Sequence, residues 1–118
     1  MALPELNGEQ LEVLRRFALM EAKEEEVLRS LSGIFECDLG ANPRFARTLF
    51  RVPTPGVIIT RKHVERALDQ QSQALITRNE LARWATMLLM NDGFELDPQD
   101  EDSIAEWLNE VSFGGPGT

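Results

Sequence analysis

Cys37 and His63 are the single cysteine and the single histidine of the sequence, and their residue types could serve as a nucleophile and its general base. Such a pair must be held in contact, and nothing in the sequence brings these two residues together. A lone cysteine is usually a buried, weakly polar residue. His63 stands beside Arg61 and Lys62 at a predicted helix start, where we expect a solvated polar side chain. The sequence therefore predicts a protein that is not an enzyme and uses no cofactor.

The segment NDGFELDPQDEDS, residues 91–103, is rich in the oxygen ligands that Ca²⁺ prefers. An EF-hand loop needs ligands at alternating positions and a glycine at the sixth. Counted from Asp97, the sixth residue is Asp102, and the oxygen spacing does not fit. Asp and Glu are in any case favoured in a first helical turn, because they face the positive end of the helix dipole. We therefore predict an acidic helix start and no metal site.

A stripe of carboxylates marks the predicted last helix. Asp102, Glu106 and Glu110 are spaced at i, i+4 and i+8, on the face opposite the apolar positions Ile104 and Leu108. Like charges at this spacing destabilise a helix by about 0.2–0.5 kcal/mol per pair, and the last 35 residues contain no lysine or arginine. Two interpretations stay open: a solvated face that keeps the protein soluble, or a surface for a basic protein partner. The residues predicted to bind such a partner are Asp97, Asp100, Asp102, Glu106 and Glu110.

The charge is distributed unevenly along the chain. Residues 1–38 carry nine acidic and four basic side chains, residues 39–91 carry three acidic and eight basic ones, and residues 92–118 carry eight acidic side chains and no basic one. The resulting net charges of −5, +5 and −8 add to the total of −8. The simplest interpretation is that the basic middle offsets the acidic ends inside the fold. A charge asymmetry of this kind bears on partners rather than on the fold.

The basic middle segment also suggests an alternative function, that of a helical nucleic-acid-associated or regulatory protein whose cations contact phosphates. The connector between its two predicted helices is longer than the three or four residues of a helix-turn-helix motif. The rest of the chain carries −13, from −5 and −8, which would repel nucleic acid. Nucleic acid is therefore the less favoured partner. The residues that would bind it are Arg44, Arg47, Arg61, Lys62, Arg66 and Arg78.

Capping residues and apolar spacing predict the elements at the N-terminus. Asn7 as N-cap and Gln10 three residues later form a capping-box pattern that opens a first helix. The apolar face of this helix does not continue in register, so we expect a break over residues 20–23 and a second helical piece that ends at Gly33. The expected i,i+4 ion pairs within these helices are Glu12 with Arg16 and Glu25 with Arg29.

Weaker patterns follow in the next segment. Residues 34–39 alternate loosely and are typical of a short strand. Asn42 followed by Pro43 has the pattern of a cap and a first helical residue, so we expect a short helix from there to Phe50. The proline- and glycine-rich residues 53–56 should then end regular structure.

Two copies of one phrase, Ile-Thr-Arg, precede the two central helices. Thr60 and Thr77 stand where an N-cap hydroxyl accepts a hydrogen bond from the first helical turn. Each is preceded by isoleucine and followed four positions later by an aliphatic residue, which is the arrangement of a hydrophobic staple. Glu80 completes a capping box in the second copy, and His63 holds the same position in the first. The predicted helices span residues 61–72 and 78–91.

Asp97 and Pro98 should open the last helix by a cap followed by proline, and Gly93 should end the preceding helix in a left-handed conformation. The predicted fold class is mainly α, a single-domain bundle of five to six helices with at most one short strand pair. We assign residues 1–113 to this helical domain and residues 114–118 to a flexible C-terminal tail.

Length and composition narrow the class of protein. With 118 residues the chain has the size of one domain with its own core. No apolar run approaches the ~18–20 residues that cross a bilayer, and the first residues lack a basic flank followed by an apolar block. A single cysteine excludes an intrachain disulfide. We therefore expect a cytoplasmic protein without a membrane partner, and the sequence does not indicate its oligomeric state.

The stretch ITRNELARWATMLL resembles a phrase of small bacterial proteins of the immunity or uncharacterised kind, I-T-R-x-E-L-x-x-W-A. In those proteins the phrase opens a late helix, which an acidic loop and a short final helix follow. The similarity covers residues 76–111. The resemblance implies a single-domain helical protein that neutralises a cognate toxin, often a basic nuclease, by direct binding. The predicted function is accordingly that of a non-enzymatic protein-binding module with a basic protein partner. In the most specific form of this prediction, the partner is a bacterial toxin.

Overall fold

The structure of the protein, a computed structural model, describes residues 3–38, 45–52 and 56–112. The helices of this part are α1 (Gly8–Ala18), α2 (Glu24–Ser30), α3 (Arg61–Ser72), α4 (Arg78–Met90) and α5 (Glu101–Ser112), and the strands are β1 (Phe35–Asp38), β2 (Phe45–Thr48), β3 (Val57–Ile59) and β4 (Phe94–Leu96). The mainly α class is confirmed. The expectation of at most one strand pair is wrong, because the strands form two pairs. The predicted domain end at residue 113 and the tail at residues 114–118 lie outside the described residues.

The capping box predicted at the start of α1 is confirmed. Asn7 Oδ1 accepts a hydrogen bond from Gln10 N at 2.8 Å, and Gln10 Oε1 accepts one from Asn7 N at 2.9 Å. The predicted break is confirmed as well, since residues 19–23 separate α1 from α2. Met20 in this turn has a φ of 62°, a conformation that residues with a Cβ rarely adopt. α2 ends about one turn before Gly33, the predicted end.

The helix expected between Asn42 and Phe50 is wrong over the residues that the structure describes. Residues 45–48 form β2, which pairs antiparallel with β1, and β1 confirms the strand predicted over residues 34–39. A cap followed by proline permits a helix to start, but a helix this short is unstable by itself. Pairing with β1 supplies the backbone hydrogen bonds that the segment needs. Asn42 and Pro43 themselves lie outside the described residues.

An unpredicted strand, β4, pairs in parallel with β3. Val57, Ile59 and Phe94 are buried, so this pair forms part of the core. Asp97 N donates a hydrogen bond to Ile59 O at 2.9 Å, which continues the pairing past the end of β4. Because parallel strands have their carboxyl ends at the same edge, the start of α3 and the turn that leads to α5 come together there.

Gly93 does not take the left-handed conformation predicted for it, and among the described glycines the positive φ belongs to Gly33. Instead, the packing around Gly93 leaves no room for a side chain. A Cβ at this position would lie 2.6 Å from Leu14 Cδ1 and 3.0 Å from Asn91 Oδ1. Its carbonyl oxygen accepts a hydrogen bond from Val57 N at 2.9 Å. Close packing on α1 and β3, rather than a helix-ending conformation, therefore explains this glycine.

The predicted starts of α3 and α4 are confirmed. Thr77 Oγ1 accepts a hydrogen bond from Glu80 N at 3.0 Å, and Glu80 Oε1 accepts one from Thr77 N at 2.9 Å. α4 is the central helix of the core, whereas the fully buried residue of α3 is Ala67. The buried residues of α4 are Leu81, Ala82, Trp84, Ala85, Thr86, Met87 and Leu88.

The last helix begins at Glu101 and not at Pro98. Asp97 caps a turn before the helix, since its Oδ1 accepts a hydrogen bond from Gln99 N at 3.1 Å and its carbonyl accepts one from Asp100 N at 3.0 Å. At this position the Asp97-Pro98 pattern therefore marks a turn that precedes the helix. None of the helices in the described ranges combines the length and the apolarity of a membrane-spanning segment.

Candidate protein-binding face

Buried side chains on one side of α5 determine which side faces outward. Ile104 and Leu108 are 2% and 0% exposed, and the helix packs against α4. Trp107 is half-buried and makes an edge-on ring contact with Trp84, with 6.4 Å between the ring centroids and an interplanar angle of 69°. Side chains three and four positions apart lie on the same helix face. The three α5 residues therefore anchor one face, and the opposite face points to solvent.

The outward face carries Asp102, Glu106 and Glu110, which we name the acidic ridge. All three side chains are exposed. The ion pairs among the described residues do not include a ridge carboxylate. The last turn of α5 also has no basic residue, although a cation is favoured at that end of a helix. Within the described part of the chain, the negative charge of the ridge therefore has no direct counterion.

Asp97 and Asp100, the other two residues predicted to bind a partner, have a different role from the ridge. Both are partly buried in the turn that leads into α5. The Asp97 carboxylate caps this turn, and the Asp100 carbonyl accepts a hydrogen bond from Ile104 N at 3.0 Å. In the described ranges, no group of three or more His, Cys, Asp or Glu side chains is placed to hold a metal ion. The predicted set thus divides into three surface carboxylates and two residues that build the helix entry.

Four carboxylates of the N-terminal helices and the turn between them are paired, in contrast to those of the ridge. Neither Glu12–Arg16 nor Glu25–Arg29, the pairs expected inside these helices, is among the ion pairs of the described residues, and Arg16 instead reaches Glu26 on α2. Arg66 and Arg83 come from the basic middle segment, so this segment offsets the acidic N-terminal end inside the fold. The ion pairs of this region are Glu12 with Arg15, Glu26 with Arg16, Glu21 with Arg66 and Glu24 with Arg83.

The cations of the alternative nucleic-acid site lie on several elements. Arg66 serves the fold, since its Nε donates a hydrogen bond to Leu19 O at 2.8 Å and its guanidinium lies 3.7 Å from the Glu21 carboxylate. Arg61 and Lys62 are exposed in the first turn of α3. Arg61, Lys62 and Arg66 are on α3, Arg78 is the first residue of α4, Arg47 is on β2, and Arg44 lies outside the described residues. The structure therefore groups three of the six predicted cations on one helix.

His63 caps α3, whereas the sequence suggested a solvated side chain. Its Nδ1 accepts a hydrogen bond from Thr60 N at 2.9 Å, and Thr60 Oγ1 lies 3.2 Å from the same nitrogen. Burial lowers the pKa of His63 below its ordinary value of 6.5, and the charge of Arg66 acts in the same direction. Cys37 lies on β1, while His63 follows β3 of the other strand pair. The histidine thus has a structural role that requires an unprotonated Nδ1.

A cleft that sequence reasoning missed opens between the α1–α2 turn, the α3–α4 connector and the first turns of α4. Its volume is about 550 Å³, and we name it the groove. Phe17 and Trp84 are buried and form its floor, and Met20, Leu75 and Ile76 line it as well. Leu75 is 62% exposed. An apolar residue in a polar connector was the one sequence signal that could have pointed to this site.

The ridge on α5 and the groove beside α4 are thus the two surface features that stand out in the described residues. The side chains of the ridge and of the groove indicate what each of them could bind. The chain matches no protein-family model, no curated protein and no solved structure.

Proposed function

We propose that the protein is a non-enzymatic binding module that holds a basic protein partner against the acidic ridge. One observation carries this proposal. Asp102, Glu106 and Glu110 are exposed on a helix whose other face is anchored in the core, and no ion pair of the described residues includes them. In the most specific form of the proposal, the partner is a basic toxin that is neutralised by direct binding. The single cysteine is consistent with a reducing, cytoplasmic location.

A cationic partner would relieve a repulsion that exists in the free protein. Neighbouring ridge carboxylates are one helical turn apart and repel each other by about 0.2–0.5 kcal/mol per pair. Complementary charge on the partner would turn this repulsion into attraction and would speed the encounter of the two proteins. Because exposed charges are screened beyond about 8 Å at physiological ionic strength, association should be fastest at low salt.

The test begins with the partner captured from the native host by the tagged protein and then purified. The decisive variant is the double substitution Glu106→Lys and Glu110→Lys. We expect its association rate constant at low salt to fall by about tenfold or more, and the dependence of this constant on salt to weaken. Stopped-flow or surface-based kinetics across a salt series measures both quantities.

A matched control separates the ridge from the overall charge. Glu5→Lys with Glu65→Lys changes the net charge by the same amount at two exposed side chains outside α5. This control should keep most of the wild-type rate. Equal rates for the ridge variant and the wild type would refute the ridge as the binding face. Equal losses in both variants would show that only net charge matters.

Association with nucleic acid through α3 is the second candidate, and one observation favours it. Arg61 and Lys62 are exposed at the start of α3, and the ion pairs of the described residues do not include them. Neutralised phosphates release counterions, so this candidate requires binding that weakens steeply with salt. Titration of a labelled duplex and a labelled single strand at low salt tests it. An absence of binding to both would end this candidate.

A further inference from the structure

The groove has an apolar floor, while seven of the 13 residues that line it are polar or charged. The floor residues Phe17 and Trp84 are 3% and 4% exposed, and the Trp84 indole N–H donates a hydrogen bond to Phe17 O at 3.0 Å. Met20 and Leu75 stand higher, at the mouth, and Leu75 is the most exposed large apolar side chain of the described residues. A volume of about 550 Å³ lies within the range of protein sites that take up ligand groups. The groove therefore offers a small apolar surface with polar and charged side chains around it.

Two unusual backbone conformations border this mouth. Met20 has a φ of 62° and Ala74 has a φ of 60°, and these are the positive-φ residues other than glycine in the described ranges. Met20 lines the groove directly, and Ala74 immediately precedes Leu75. Left-handed conformations are disfavoured for residues with a Cβ, and they persist where the surrounding structure enforces them. Both walls of the groove thus hold their apolar side chains in place through a disfavoured turn.

The charges around the groove favour a cationic occupant. Glu24 and Arg83 both line it, and they are bonded to each other through contacts of 2.7–3.0 Å, so their charges largely cancel. The other charged side chains of the lining are Lys23, Glu25 and Glu80, all exposed. These three leave an excess of one negative charge, in a protein whose net charge is −8. An acidic segment would be repelled, whereas lysine or arginine would find the carboxylate of Glu25 on α2 and that of Glu80 on α4, which also accepts a hydrogen bond from Thr77 N.

We propose that the groove receives a cationic amphipathic segment of a partner protein. An aliphatic side chain of this segment would sit between Met20 and Leu75, above the Trp84 ring. Lysine or arginine residues flanking it would lie near Glu25 on α2 and Glu80 on α4. This docking site involves no residue of the acidic ridge, so it goes beyond the proposed function and can be tested separately from it.

Two synthetic peptides of equal length test the proposal. Both carry leucines at the same i, i+3 and i+4 positions, and they differ in having lysine or glutamate at every polar position. Each is titrated into ¹⁵N-labelled full-length protein at low salt, and the backbone amide shifts locate the bound peptide. We expect the lysine peptide to bind and to shift the amides of residues 20–25, 74–76 and 79–84. The glutamate peptide should not bind.

Variants at two exposed leucines provide the matched comparison. Leu75 lines the groove, whereas Leu68 is 43% exposed on α3 and does not line it. Leu75→Ser should weaken the lysine peptide by about tenfold, the loss expected for one buried aliphatic contact. Leu68→Ser should leave the affinity unchanged. The double substitution Glu106→Gln and Glu110→Gln should also leave the shifts at the groove unchanged.

Three outcomes would overturn the groove as a docking site. The first is shifts confined to α5 and lost in the Glu106→Gln and Glu110→Gln protein, which would leave the ridge proposal standing. The second is equal binding of both peptides, which would remove the requirement for positive charge. The third is no binding of the lysine peptide to the wild-type protein. Because the readout is site-resolved, failure at the groove is distinguishable from failure at the ridge.

Discussion

The N-terminal helices and α5 are both rich in carboxylates, but the structure treats the two regions differently. Glu21 and Glu24 are bonded by Arg66 and Arg83, which come from α3 and α4. Glu26 and Glu12 are bonded by arginines of α1. The ion pairs of the described residues leave out the acidic ridge on α5. Acidic residues therefore join elements together in the first region, whereas in the second they only add charge to the surface.

This difference shows that charge density along a chain does not indicate the use of the charge. A carboxylate that meets an arginine within the fold contributes to stability and is withdrawn from partners. A carboxylate without such a contact costs stability through repulsion and remains available to a partner. The basic middle segment supplies Arg66 and Arg83 to the N-terminal helices, whereas the ion pairs of the described residues bring no cation to the ridge on α5. If the two regions differ in this way, substitutions in them should change stability differently.

The largest expected effect comes from the core side of α5. Leu108 is fully buried under the ridge, and Leu108→Ala should lower the free energy of unfolding by about 2–5 kcal/mol through lost burial and the cavity left behind. Urea-induced unfolding followed by tryptophan fluorescence measures this loss. Glu106→Ala, two positions earlier on the exposed face, is the control and should not lower stability, because it removes like-charge repulsion and no buried contact. Similar losses in both variants would mean that the two faces of α5 are not distinct.

The N-terminal pairs should differ in strength according to their exposure. The Glu24 and Arg83 side chains are 21% and 37% exposed, and Arg83 Nε contacts both carboxylate oxygens at 2.8 and 3.0 Å. A double-mutant cycle with Glu24→Gln and Arg83→Gln should give a coupling energy of about 1 kcal/mol. The Glu12–Arg15 pair is more than half exposed on both sides, at 3.5 Å, and serves as the comparison. Its coupling should be about 0–0.5 kcal/mol, and equal couplings would argue against the role of the first pair.

Neutralising one carboxylate should raise the free energy of unfolding in α5 and lower it in the N-terminal helices. Glu106→Gln removes two like-charge contacts and should raise the free energy of unfolding by about 0.4–1 kcal/mol at low salt. Glu26→Gln removes the partner of Arg16 and should lower it by up to about 1 kcal/mol. Thermal unfolding at low and high salt measures both changes, which should shrink at high salt because the charges are exposed. Changes of the same sign would remove the proposed difference between the regions.

The pH dependence of stability should report on His63 at the start of α3, outside the two regions. Because burial lowers the pKa of His63 in the folded protein, the unfolded chain takes up the proton first as the pH falls below 6.5. Stability should therefore be complete above pH 6.5 and decrease below it, by a small amount for a half-buried side chain. His63→Gln, which keeps a side-chain acceptor for Thr60 N, should flatten this part of the profile. An unchanged slope between pH 5 and pH 6.5 in the variant would show that His63 is not its cause.

The starts of α1, α3 and α4 could be predicted because capping involves residues within one helical turn. Asn7 with Gln10 and Thr77 with Glu80 form their hydrogen bonds three residues apart. The same local reasoning failed at Asp97, where a cap and a proline form a turn and the helix starts later. A pattern of this kind shows that an element can begin, and the contacts beyond it determine whether it does.

The errors concern places where distant segments meet. β2 was predicted as helix because the Asn42-Pro43 pattern favours a helix start and local spacing does not show that the segment pairs with β1, and β4 was missed because its pairing with β3 joins residues far apart in sequence. Gly93 was assigned a special conformation, although the requirement comes from Leu14 on α1. The groove was missed for the same reason, since its walls come from three separate parts of the chain.

By itself, the sequence determined the mainly helical class, the starts of three helices and the acidic composition of α5, because these depend on residue types at short spacing. Only the tertiary structure decided which carboxylates find a cation. The Glu24–Arg83 contact joins residues 59 positions apart, and no local pattern relates them. Packing of Ile104 and Leu108 likewise turns the ridge outward, and the ion pairs of Arg66 and Arg83 in the described residues go to the N-terminal helices and the turn between them. The surface available to a partner is therefore a consequence of how the helices pack.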